Sequence, residues 1–128
     1  VAGWQAELAD VRVESLVPPG AESLLLDAFR AALPDYHGFL ADRVAAARNA
    51  SRVLRYVGRI AEDGTLSAGL VELSPDDPLA RGTGPENVFR LRTARYDAYP
   101  LTIAGPGAGV AVTAGAVAAD VPRALEVL

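Results

Sequence analysis

The chain predicts an α+β fold: a largely antiparallel or mixed sheet with a helical hairpin on one side and a helix at the C-terminal end. Apolar residues recur at helical spacing from about residue 22 to residue 48. The period then drops to two on either side of Asp63-Gly64, and an Ala/Val-rich stretch follows the block Gly105-Pro106-Gly107-Ala108-Gly109.

Asp10-Val11-Arg12-Val13-Glu14 alternates polar and apolar residues as a half-buried strand does, and Pro18-Pro19-Gly20 ends it. Leu25, Phe29, Ala32 and Leu33 then share one face of a helix of about four turns beginning near Glu22. Pro34 is expected to close that helix and Asp35 to cap the next, in which Leu40, Val44 and Ala47 form the buried stripe while Asp42, Arg43 and Arg48 stay wet. Leu54, Tyr56 and Ile60 lie on one face of the following strand, with Arg55 and Arg59 on the other. Asp63-Gly64 between two alternating runs is a strong hairpin signal, so residues 66–73 should pair antiparallel with residues 52–60. Residues 74–85 read as a loop, residues 88–92 as a strand, and residues 101–104 as a short strand running into the glycine block. The last helix centres on Val112, Ala116 and Ala119, and Pro122 predicts a kink or restart near Val121, because an interior proline costs ~3 kcal/mol.

At 128 residues, 51% hydrophobic and 22% charged, the chain has the composition of one ordinary soluble domain. Its apolar runs, such as Leu24-Leu25-Leu26 and Val110 to Val112, are far too short to span a membrane. With no signal-peptide pattern, a cytoplasmic location is the expectation. A net charge of −4 and a pI near 4.9 argue against a nucleic-acid surface, which needs a basic footprint. Cysteine is absent and all 12 basic residues are arginine, which leaves no thiolate metal site, no cysteine nucleophile and no lysine for proton transfer or Schiff-base chemistry. Methionine is absent too, and the start Val1-Ala2-Gly3-Trp4 suggests a piece of a longer polypeptide.

Three glycines in the five residues 105–109 allow positive φ and close approach, and the free N–H groups of a following helix point into such a turn. It can hold an anionic or carbonyl oxygen, or it can simply let two backbones pack. The dinucleotide fingerprint G-x-G-x-x-G of a βαβ unit does not fit, so any cofactor contact here supplements a site built elsewhere. His37, the only histidine, sits near a turn with no second histidine for a metal pair. Asp76 and Asp77 read as turn formers, and Arg90, Arg92 and Arg95 as the solvated or interfacial face of a strand. No residue is placed as a catalytic nucleophile or general base, and no metal set is evident.

Pro100-Leu101, Ile103, the block 105–109, and Val112-Thr113-Ala114-Gly115-Ala116 with Asp120 resemble the closing segment of homoserine dehydrogenases. The resemblance continues upstream through Pro78-Leu79-Ala80 with Gly84 and Asn87, through Val53-Leu54-Arg55-Tyr56-Val57-Gly58, and back to Val13-Glu14-Ser15-Leu16-Val17-Pro18, in order and with similar spacing. Thr113-Ala114-Gly115-Ala116 is closest to the bifunctional enzymes that carry an aspartate kinase ahead of the dehydrogenase.

The resemblance implies an enzyme that uses NADP or NAD to interconvert aspartate 4-semialdehyde and homoserine, on the route to threonine, methionine and isoleucine. It implies that residues 1–104 belong to a substrate-binding and dimerising domain. Residues 105–128 would then form a glycine turn and closing helix that pack on a nucleotide domain. Gly109 matches a family position whose backbone meets the cofactor, Gly107 and Ala108 shape the same turn, and the Thr113 hydroxyl stands to reach the cofactor or its own preceding turn. The family's catalytic lysine has no counterpart here, so the chain is expected to be inactive alone. A stand-alone small-molecule-binding regulatory module and a purely dimerising domain are the alternative readings.

Overall fold

The computed structural model describes residues 5–126, which fall into two compact units, one ending at Pro75 and the other beginning at Asp76. The Val1 to Trp4 start lies outside the described residues.

The first unit is built on a three-stranded sheet. Strand β1 (Arg12–Val13) runs parallel to β3 (Leu66–Leu73), which pairs antiparallel with β2 (Val53–Ile60), giving the order β1-β3-β2. The Asp63-Gly64 turn closes the hairpin as expected: Ala61 N–H donates to Thr65 O at 2.9 Å, and Gly64 N–H to Ala61 O at 3.0 Å. Residues 53–60 face residues 73–66 without a bulge. β1 is shorter than its alternating sequence suggests, because a 3-10 turn takes Leu8–Asp10 and only two residues pair regularly with β3.

Helix α1 (Leu26–Ala32) has two turns rather than four. The segment before it is spent on turns: Leu24 N–H donates to Ala21 O at 3.1 Å, and Gly20 N–H to the Glu22 carboxylate at 2.8 Å. Leu25 is extended and 83% exposed, and Leu33 is 49% exposed, so the expected stripe reduces to the half-buried Phe29 and Ala32, with Phe29 stacked on Tyr36 at a centroid distance of 6.4 Å. Pro34 sits in the first turn of a 3-10 segment, Leu33–Tyr36, where its missing N–H removes no helical bond. Asp35 does not cap α2 (Gly38–Asn49). The N-cap position is His37, whose backbone is already right-handed, and an aspartate caps only from an extended conformation. The α2 stripe forms as read, with Ala47 buried and Leu40 and Val44 half-buried.

The second unit is a two-stranded antiparallel ribbon, β4 (Glu86–Leu91) with β5 (Leu101–Pro106), followed by α3 (Val110–Glu126). A 3-10 turn, Pro78–Ala80, lies against β4 and buries Ala80. β5 extends two residues further than expected, taking in Gly105 and Pro106. Of the expected kink or restart, the restart does not occur: α3 continues past Pro122, a position that deprives the Ala118 carbonyl of its donor. The expected apolar residues of α3, Val112, Ala116 and Ala119, are all exposed in this unit, Val112 at 40%. No described residue large enough to anchor a core is fully buried; the buried apolar residues are Ala21, Ala47, Leu73 and Ala80.

Candidate functional site

The glycine block is divided between a strand and a turn. Gly105 and Pro106 pair with Asn87 and Glu86, so the free turn is Gly107-Ala108-Gly109 alone. Gly107 N–H donates to Pro85 O at 2.9 Å, which continues the ribbon by one bond into the turn. Gly109 has φ +124°, a conformation that excludes side chains, and its carbonyl accepts from Thr113 N–H at 3.0 Å as the first bond of α3. The N–H groups of Val110, Ala111 and Val112 therefore head the helix without an intrahelical acceptor. Gly107, Ala108, Gly109 and Thr113 are all exposed and lie along one continuous stretch.

Asn87 joins this turn from the neighbouring strand. A Cβ placed on Gly107 would overlap the Asn87 side-chain amide, whereas one placed on Gly105 or Gly109 would meet nothing within 4 Å. The close neighbour of Gly107 is thus a side chain rather than a second backbone. Gly107 is bare because Asn87 occupies the space, and Gly105 and Gly109 face open room.

In the first unit a second polar cluster centres on Glu14, just past β1. Its carboxylate accepts from Arg43 Nη1 of α2 and, at 2.8 Å, from Leu70 N–H of β3. Its backbone N–H donates to Ala68 O at 2.8 Å, and its carbonyl accepts from the Tyr56 hydroxyl at 2.8 Å. The Arg43 hydrogen bond, followed by the Leu70 N–H, holds the Glu14 carboxyl below its ordinary pKa. Gly69 makes room, since a Cβ there would lie 2.8 Å from Glu14 Oε2 and 3.0 Å from Glu14 Cβ. Asp63 is also held below the usual carboxylate range, by the Thr65 N–H and then the Thr65 hydroxyl.

The remaining candidates take structural roles. His37 is exposed and makes no side-chain cap bond. Asp77 forms the turn read from the sequence: its Oδ1 accepts from Leu79 N–H at 2.9 Å. It also pairs with Arg90 at 2.6 Å, and Arg92 pairs with Asp97 at 2.6 Å, so the arginine face of β4 and its continuation carries ion pairs. Among the described residues no three His, Cys, Asp or Glu side chains gather as a metal set, and no helix is long and apolar enough to cross a membrane. Sequence reading missed Asn87 and Glu14 as working residues. The signal for each is a glycine across a strand pair, visible only when the register is known.

A family profile described as homoserine dehydrogenase matches residues 1–121. The chain belongs to the homoserine dehydrogenase family. It is 39% identical over 127 residues to the bifunctional aspartokinase/homoserine dehydrogenase 2 of Escherichia coli, an alignment covering 99% of this chain and 16% of that protein. A homoserine dehydrogenase of Paracoccidioides brasiliensis is 38% identical over 120 residues, covering 89% of the chain and 31% of that relative. A crystal structure of a Candida auris protein of unknown function superposes with a TM-score of 0.75 at 39% identity, over 91% of this chain and 33% of that one. The chain spans less than a third of the length of the two curated relatives.

Proposed function

We propose that this chain is the C-terminal part of an NADP- or NAD-dependent homoserine dehydrogenase, a cytoplasmic homodimer or higher oligomer. The parent enzyme interconverts L-aspartate 4-semialdehyde and L-homoserine on the route to threonine, methionine and isoleucine. The observation that carries the reading is the near-complete alignment of the chain with bifunctional aspartokinase/homoserine dehydrogenases. In this division of labour residues 1–104 belong to the substrate-binding and dimerising domain, and residues 105–128 form the turn and helix that close on a nucleotide domain. The apolar side chains left exposed on α3 support the second assignment, since large uncovered apolar surface marks a binding face.

The residues present suit a supplementary cofactor contact. Gly107, Ala108 and Gly109 would hold the nicotinamide cofactor through backbone groups, with Thr113 offering a hydroxyl one turn into α3. The fit rests on the open space over Gly105 and Gly109, where a side chain would otherwise stand. When bound, the cofactor supplies hydride transfer to or from the carbon that bears the substrate oxygen. The N–H groups at the head of α3 orient partial positive charge toward the turn, which favours an anionic or carbonyl oxygen there. The chain has no lysine, so proton transfer to the alkoxide is assigned to none of its residues.

The test compares the full-length gene product with residues 1–128 expressed alone, each supplied with aspartate semialdehyde and NADPH or NADH. Turnover by the full-length protein and none by residues 1–128 is expected. A full-length protein without turnover overturns the dehydrogenase reading. Turnover by the isolated chain overturns the assignment of hydride and proton transfer to other segments.

A further inference from the structure

We infer that Asn87 is a positioning residue for the turn at residues 107–109, setting the backbone that meets the cofactor; this rests on the dehydrogenase reading above. Asn87 is the second residue of β4 and stands opposite Gly105 in the ribbon. Side chains two residues apart in a strand share a face, so Asn87, Gly105 and Gly107 lie on the same side. The Asn87 amide reaches along that face and occupies the space of the absent Gly107 Cβ.

β4 and the residue before it therefore grip Gly107 twice. The Pro85 carbonyl fixes its N–H at 2.9 Å, and the Asn87 amide stands against its Cα. Gly107 is two residues ahead of Gly109, whose φ of +124° sets the direction in which α3 leaves the turn. A shift at Gly107 is passed through Ala108 to the N–H groups that head the helix. The side chain that grips is short, planar and uncharged. A branched aliphatic chain would not lie flat against the glycine, and a carboxylate would place negative charge beside a phosphate-bearing ligand.

The experiment uses the full-length protein with Asn87→Ala, Gly107→Ala, the double variant, and Asn87→Asp as a shape-preserving control. Michaelis constants for NADPH or NADH and for homoserine are measured separately, with kcat and the thermal midpoint. Each alanine single variant is expected to raise the cofactor KM about tenfold, the scale on which small misplacements of binding groups act. The homoserine KM should stay within about twofold, which a general loss of folding would not allow. The double variant should bind cofactor better than Gly107→Ala alone, because the vacated amide leaves room for the new methyl group. Asn87→Asp should show a cofactor KM that falls as salt is added, since its defect is charge. The inference is overturned by a wild-type cofactor KM in Asn87→Ala, by cofactor and homoserine KM rising in step, or by a double variant no better than Gly107→Ala. If Asn87→Ala does not fold, Asn87→Ser takes its place, and a wild-type cofactor KM there overturns the inference. A wild-type protein that binds no nicotinamide cofactor overturns the underlying reading along with the inference.

Discussion

The Tyr56 hydroxyl donates to the Glu14 carbonyl at 2.8 Å, which ties β2 to the end of β1 across the strand that lies between them. β1 has only two regularly paired residues, so its attachment depends on side chains to an unusual degree. Tyr56→Phe keeps the ring and removes the bond. The expected loss is ~0.5–1.5 kcal/mol of unfolding free energy, the net value of one hydrogen bond, read from denaturant midpoints. No change in stability would mean that the ring's packing alone holds β1.

Glu14 makes the same attachment sensitive to acid. Its carboxyl is held below its ordinary value of 4.5 by Arg43 and then by the Leu70 N–H. A carboxyl depressed in the folded state contributes stability that is fully present above its unfolded pKa and lost as the pH falls through the folded one. Thermal midpoints of the wild type should therefore decline below about pH 4.5. Glu14→Gln should be less stable at neutral pH and show a flatter decline. Parallel acid limbs for the two proteins would place the sensitivity elsewhere, with Asp63 the next group to replace.

Asp77 uses its two oxygens separately, one on the Leu79 N–H and one on Arg90. Asp77→Ala loses both and should destabilise by about 1–2 kcal/mol, most of it from the lost cap. Asp77→Asn keeps an acceptor for Leu79 and loses only a partly exposed ion pair, at about 0.5 kcal/mol. Equal losses in the two variants would reverse that apportionment.

Pro122 lies inside α3 and leaves the helix one bond short. Pro122→Ala should raise helical ellipticity at 222 nm and the thermal midpoint, with an upper bound of ~3 kcal/mol. A lower midpoint would show that the proline is fitted to its surroundings and that the ring contributes more than the missing bond costs.

Legibility followed the distance over which each feature is decided. The β2–β3 hairpin was readable because Asp63 and Gly64 settle it within a few residues. The stripe of α2 was readable because Leu40, Val44 and Ala47 repeat at one period. α1 misled because Leu25 and Leu33 continue the helical spacing while turns at Ala21 and Gly20 consume the chain before Leu26. Glu14 looked like the wet side of an alternating strand. Its partners Arg43, Tyr56 and Leu70 are far away in sequence, and only the register of β1 on β3 brings the carboxylate over Gly69. The turn at 107–109 was visible as glycines, but the reason for each glycine was not. Asn87 twenty residues upstream accounts for one of them, and nothing inside the chain's described residues accounts for Gly105.

The fit of Asn87 against Gly107 also bears on how the ribbon assembles. Residues 92–100 separate β4 from β5, a connection whose length does not by itself fix one alignment of the strands. A slip of one residue turns every side chain to the opposite face. A slip of two restores the faces and sets the Asn87 amide toward Gly105 or Gly109, which also lack a side chain. The fit of the Asn87 amide over a bare glycine thus weighs against one-residue slips, which would turn the amide to the other face of the ribbon.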